Sequence, residues 1–393
     1  MKNANTSYHQ NFCIGKHILV KILKCKLGDG ETSKSCSKHQ DIHFVTSKDG
    51  IKHRISTIFV FGDSTVDVGT NNFIPECRGK ANFRYYGIDY PGSVPTGRFS
   101  NGYNSADSIA KLFGFKKSPQ SFFYLLNQTS SFKHNIRCGV NFASGGSGII
   151  DTTGFQLFTK VVPMREQIQQ FSTVCGNLTE ILGTEAAADM LSKSLFLISV
   201  GGNDLFEYQL NMSKNDPNLP EAQELLRILS STYQIHLRSL YDLGARKFGI
   251  VSIAPIGCCP LERALGTGEC NKEMNDLAQA FFNATEILLL NLTSQVQDMK
   301  YSLGNLYEIA YEVLHNPRSV GFKEAQTACC GNGSYNAESP CNRDAKLCPN
   351  RREYVFWDAI HPTERAAKLA ARALFGGGAK YATPVNFSQL IGD

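Results

Sequence analysis

Short apolar runs alternate with longer stretches of helical spacing along most of this chain. Ile58–Phe61, Val140–Ala143, Leu195–Val200, Phe248–Ile253 and Leu306–Ala310 lack the apolar-polar alternation of a half-exposed strand, and such runs fit strands covered on both faces of a parallel sheet. Ser105–Phe113, Met164–Cys175, Glu221–Leu243, Asn271–Met299 and Thr363–Phe375 instead space their apolar side chains three and four apart, as a helix with one buried face does. This order predicts an α/β fold with a mainly parallel, five-stranded sheet and helices on both faces. In such sheets functional residues gather at the carboxyl ends of the strands. Gly376–Gly378 closes the last helix. With no internal repeat and no low-complexity linker, the expected organisation is a leader over residues 1–54, one domain over 55–378 and a short tail over 379–393.

Composition agrees with a packed domain and says more about its surroundings. The chain is 42% hydrophobic and 19% charged, far from the balance of a disordered protein. Its net charge of +5 is misleading, because residues 1–54 carry ten Lys or Arg against four Asp or Glu, leaving a near-neutral body. Without a basic stripe, nucleic acid is not an expected partner. No run of 18 apolar residues occurs, so no transmembrane segment is expected.

Of 13 cysteines, Cys13, Cys25 and Cys36 fall in the leader and ten in the body, with Cys329, Cys330, Cys341 and Cys348 closely grouped. Disulfides in a secreted protein are the favoured reading. That group has no C-x-x-C pair, so no metal is expected there. Eight Asn-x-Ser/Thr sequons, at Asn5, Asn127, Asn177, Asn211, Asn283, Asn291, Asn332 and Asn386, point to a glycoprotein. The leader shows no recognisable signal peptide, since its best apolar stretch, His17 to Leu27, is broken by Lys21, Lys24 and Lys26. It is read as an atypical, disordered basic segment on an extracellular body.

A serine hydroxyl attacks at neutral pH only with a base in reach, a group orienting that base, and donors for the oxyanion. Ser64 follows Gly62-Asp63 just past the first predicted strand, where a tight turn lifts its Oγ to the sheet edge. Outside the leader the histidines are His134, His236, His315 and His361. His361 has a carboxylate, Asp358, three residues earlier on a turn that can reach its Nδ1; the other three read as surface or core-edge residues, His315 because it precedes Asn-Pro. Pro362 then opens a helix where its missing N–H costs nothing. Asn141 to Gly146 and Val200 to Asp204 each end a predicted strand with glycines, and the second adds the Asn203 amide, so both are candidate sources of oxyanion donors.

Taken together these segments resemble the plant GDSL esterase/lipase family of the SGNH hydrolases. FVFGDSTVDVGTNN (59–72) resembles its nucleophile block, PTGRFSNG (95–102) and GVNFASGGSG (139–148) its second region, VGGND (200–204) its third block and FWDAIHPTE (356–364) its last. APIGCCP, GECNKEMN and ACCGNGSYN also look like plant members, so the similarity runs in order from about residue 56 to about 376. The resemblance implies a three-layer α/β/α sandwich like flavodoxin and a carboxylic-ester hydrolase acting on lipid or other small-molecule esters, without a cofactor. It implies Ser64, Asp358 and His361 as triad, Ser64 N–H, Gly146 N–H and the Asn203 side chain as oxyanion donors, and Asp67 as a brace for the nucleophile loop. Acyl transfer to another alcohol, or an idle secreted glycoprotein, are the alternative readings of the same residues. Thr70 departs from the family's usual Gly-Asn-Asn run, and the basic leader stands where a signal peptide is expected.

Overall fold

Strand β1, Ile58–Gly62, is buried along its whole length, because its two sets of side chains face different helical layers. Phe59 and Phe61 belong to one core, with Phe196, Ile198, Phe248 and Ile250 from neighbouring strands. Ile58 and Val60 belong to the other, with Leu195 and Leu197. Period-two placement therefore sends both rows of side chains into apolar surroundings. The computed structural model describes residue 55 and residues 57–392. The expected leader, with Cys13, Cys25, Cys36 and Asn5, lies outside the described residues.

The sheet also contains β2 (Gly139–Asn141), β3 (Leu195–Ser199), β4 (Lys247–Val251) and β5 (Lys300–Gly304). A second, two-stranded sheet pairs β6 (Cys330–Gly331) with β7 (Lys346–Leu347), and β8 (Ala382–Thr383) returns to the main sheet. The main order is β2-β1-β3-β4-β5-β8, parallel except for β8. Its first five strands thus run in the flavodoxin-like order, which reverses direction between β1 and β3 and leaves a crevice there. Helices Met164–Leu182, Ala222–Asp242 and Lys272–Gln295 supply side chains to the first core. Ser105–Leu112, Leu306–His315, Glu364–Gly376 and Phe387–Gly392 supply the second. The result is a three-layer α/β/α sandwich with a mainly parallel sheet.

One sequence expectation is corrected. Leu306–Ala310 is not a strand but the start of helix Leu306–His315, and the fifth strand is Lys300–Gly304. The Asn305 side chain accepts from Glu308 N–H and caps that helix, while Ile309 and Val313 form its buried stripe. The tail adds β8 beside β5 and buries Phe387 completely. Among the described residues, the disulfides Cys258–Cys270, Cys329–Cys348 and Cys330–Cys341 cross-link the loops between β4 and the last helices.

Candidate active site

Every loop that leaves the carboxyl edge of β1, β2 and β3 carries one of the residues singled out above. At the end of β1, Gly62 has φ of +135°, and a Cβ there would lie 1.9 Å from Ser199 O; only glycine lets the chain cross so close to β3. The crossing is fixed by Asp63 N–H donating to Ser199 O at 3.0 Å. Gln167 grips Gly62 from the helix side: its Oε1 accepts from Gly62 N–H at 2.8 Å and its Nε2 donates to Gly62 O at 2.9 Å. Phe171, one helical turn further on, packs on the Phe59 and Phe61 rings with centroids 5.0 and 5.7 Å away, so the helix reaches Gly62 on an aromatic seat.

Beyond this turn the Ser64 Oγ lies 2.7 Å from His361 Nε2. His361 Nδ1 is 2.9 and 2.8 Å from the two Asp358 oxygens. Asp358 Oδ1 also accepts from the Ile360 and His361 N–H groups at 3.0 and 2.8 Å, as the three-residue turn allows. Tyr86 OH donates to Oδ2 at 2.8 Å. Burial works against the charged carboxylate, yet His361 and the N–H donors outweigh it and hold Asp358 below the ordinary carboxyl range. The Phe99 ring packs at a tilt against the imidazole with centroids 5.0 Å apart, and nearby Asn101 Oδ1 accepts from Glu364 N–H. The PTGRFSNG segment therefore packs against the loop that delivers His361.

Of the oxyanion candidates, Gly146 N–H is oriented through the Gly145–Gly146 peptide. Asp67 Oδ2 accepts from Gly145 N–H at 2.9 Å, and Asn71 Nδ2 donates to Gly145 O at 2.8 Å. Because a trans peptide is planar, fixing that carbonyl aims the Gly146 N–H the opposite way. Gly146 has φ of +89°, and a Cβ there would strike the Phe158 ring at 2.3 Å. Among the described residues neither Ser64 N–H nor Gly146 N–H donates to a protein acceptor. Asn203 donates one Nδ2 hydrogen to Ser147 O at 2.9 Å, which leaves the second for a ligand. Asp67 Oδ1 receives the Gly69 and Thr70 N–H groups, both at 2.7 Å. Thr70 meets it through its backbone, so its departure from the family pattern leaves this contact intact. Burial raises Asp67 to about 6 despite these donors.

Several supports were not visible in the sequence. Asp204, next to Asn203, is fully enclosed and accepts from Ile149 N–H, Ile150 N–H and Thr153 Oγ1 at 2.9, 3.0 and 2.8 Å, with burial raising it to about 6. His236 Nε2 sits 2.9 Å from Ile149 O, and burial pushes its pKa down; it holds the Ile149 peptide and does not join the site. Its helical spacing gave no sign of this. His315 bonds back to Tyr311 O at the end of its own helix. Tyr86, Gln167 and Asn71 are isolated polar residues whose partners lie far along the chain. Ser64, Asn203 and His361 together open on one cleft of about 170 Å³. Among the described residues no group of His, Cys, Asp and Glu has the arrangement to hold a metal ion.

A serine, a histidine and a carboxylate within hydrogen-bond distance at the carboxyl edge of a doubly wound sheet are the arrangement that a serine-dependent hydrolase on an SGNH-type fold requires. The GDSL-like Lipase/Acylhydrolase family model matches residues 58–374. Similar proteins include GDSL esterase/lipase At5g55050 of Arabidopsis thaliana, 36% identical over 345 residues that cover 86% of this chain and 90% of that protein. GDSL esterase/lipase LTL1 of the same plant is 35% identical over 337 residues, covering 85% of this chain and 90% of its own length. The chain belongs to the GDSL lipase/acylhydrolase family and is a carboxylic-ester hydrolase.

Removing the Tyr86 hydroxyl as Tyr86→Phe should leave Asp358 one charge-assisted donor short. A loss on the order of tenfold in kcat is expected, with little change in KM; steady-state kinetics at equal activity to wild type would show the contact to be idle. Asp204 carries a sign that can be checked against pH. With its folded pKa raised to about 6 over an ordinary value of about 4, the folded state keeps a proton that the unfolded chain has lost. Its contribution to stability is therefore fully present below the ordinary value and is lost as pH rises through about 6. Asp204→Asn should remove that fall from the pH dependence of the urea-unfolding free energy, and an identical slope in both proteins would mean that Asp204 titrates normally.

Proposed function

We propose that the chain hydrolyses carboxylic esters of lipids or other small molecules by two-step acyl transfer, with Ser64 as nucleophile. The observation that carries this reading is the continuous set of contacts from Ser64 Oγ through His361 to Asp358 and Tyr86. His361 Nε2 takes the hydroxyl proton as Oγ bonds to the ester carbonyl carbon. The electron pair displaced onto the carbonyl oxygen is held by Ser64 N–H, Gly146 N–H and the free hydrogen of Asn203 Nδ2. Collapse of that intermediate breaks the ester C–O bond, and His361 returns its proton to the departing alcohol. Water then repeats the sequence on the acyl-enzyme: His361 takes one of its protons, the acid leaves, and Ser64 Oγ regains a hydrogen. Asp358 stays ionised throughout, holding the imidazole tautomer and stabilising the imidazolium. Asp67 acts only through the backbone it braces.

The same reading includes secretion. It is supported by three disulfides, which persist in oxidising compartments, and by the exposed or half-buried setting of Asn127, Asn177, Asn211, Asn283, Asn291, Asn332 and Asn386, which leaves room for glycans.

Purified Ser64→Ala should lose at least about 10⁴-fold in turnover of a short p-nitrophenyl ester, and Asn203→Ala on the order of 10²- to 10³-fold. A serine variant with wild-type turnover would overturn the proposal.

A further inference from the structure

The cleft beside Ser64 continues well past the reacting groups. One wall is the end of β4 and the segment after it, including Ile253 and Ile256; the others are helices Leu306–His315 and Glu364–Gly376, and Phe322 and Phe356 also line the cleft. Phe206, Ile256, Leu306 and Ile360 are only half-buried although each packs on a core cluster, because part of each faces this void. Small side chains keep it open: Ala310 comes from one helix and Ala366, Ala367 and Ala370 from the other.

The chemistry of the wall narrows what can enter. Among the described residues no Lys or Arg lines the cleft, so nothing there would match a phosphate or a carboxylate. Most polar groups on the wall are already engaged: Asp63 Oδ1 accepts from Thr65, Thr65 Oγ1 pairs with Ser199 Oγ, and Ser252 Oγ accepts from Leu306 N–H. A sugar or glycerol hydroxyl placed deep in the cleft would lose its water without finding partners. The apolar end suits a hydrocarbon group, and the volume of the whole cleft, reacting groups included, sets an upper bound on its size. A dry, apolar cavity of about 150 Å³ holds a benzene-sized group, and the whole cleft is about 170 Å³.

We propose that this cleft is the acyl site and that it selects short- to medium-chain acyl groups, with about six carbons fully housed. The acyl half is assigned because it stays attached to Ser64 while water attacks, whereas the alcohol must diffuse away from His361 after protonation. The assignment rests on the reading of Ser64 as nucleophile. Alanines at 310 and 370 then set the chain length, since a larger side chain at either would occupy the space of the terminal carbons.

The test is kcat/KM for p-nitrophenyl esters from acetate to palmitate, each below its aggregation limit, alongside acetate esters of increasingly long alcohols. Each methylene from acetate to hexanoate should raise kcat/KM up to about fourfold, with a decline past octanoate and no matching gain along the alcohol series. Ala310→Phe and Ala370→Phe should each lower the hexanoate-to-acetate ratio at least tenfold, with melting temperatures checking that the variants fold. Should a variant fail to fold, the wild-type series alone decides. A Ser64-dependent activity that is flat across acyl chains, keeps rising to palmitate, or grows only with the alcohol would overturn the acyl assignment while leaving the nucleophile in place. Activity that persists in Ser64→Ala would overturn both.

Discussion

The geometry of the site depends on how closely β1 and β3 approach at Gly62. With Ser199 O only 1.9 Å from where a Cβ would stand, a side chain at this position would force the strands apart or turn the loop away. Ser64 Oγ would then lose its distance to the His361 ring, which lies 297 residues further along the chain. Clamping both polar groups of Gly62 with one buried amide, Gln167, removes the freedom that glycine would otherwise bring. The tilted and edge-on contacts of Phe171 explain why that amide stays put, since its helix cannot shift along the sheet without breaking packed ring contacts.

The other loops follow the same physical scheme. A buried carboxylate on one loop accepts backbone N–H groups from another, as Asp67 does for Gly145 and Asp204 does for Ile149 and Ile150. Both are raised to about 6 by desolvation, whereas Asp358, equally buried, is held low by its imidazole. Identical side chains thus serve as scaffolding or as partner of an imidazole according to what they face. Donors fixed in this way need little reorganisation when charge develops on a substrate oxygen, which is where preorganised dipoles have their largest effect on rate.

Much of this was legible in the sequence, and the gaps have physical causes. The first four strand runs and four of the five helical stretches stand within a few residues of where they were expected, because burial on two faces or on one stripe leaves its period in the chain; the helix expected over Met164–Cys175 continues to Leu182. Ser64, Asp358 and His361, singled out from a strand-end turn and a three-residue spacing, meet within hydrogen-bond distance. Leu306–Ala310 was misread because a short apolar run has the same composition at the start of a helix as in a strand. The true strand, Lys300–Gly304, hid behind Lys300, Ser302 and Gly304; the Ser302 hydroxyl finds its partner at Val385 O in the tail, a contact no local pattern announces. Tyr86, Gln167 and Asn71 were missed for the same reason: each acts through a partner supplied by the fold, and a lone polar residue carries no periodic signal.

Labelling the purified chain with a fluorophosphonate probe and sequencing the modified peptide by mass spectrometry tests the central claim most directly. The probe reacts with a serine only where a base and oxyanion donors have been assembled around it. The account predicts a single adduct on Ser64, abolished when His361 is replaced by Ala. An adduct on a different serine, or none on folded protein, would contradict it.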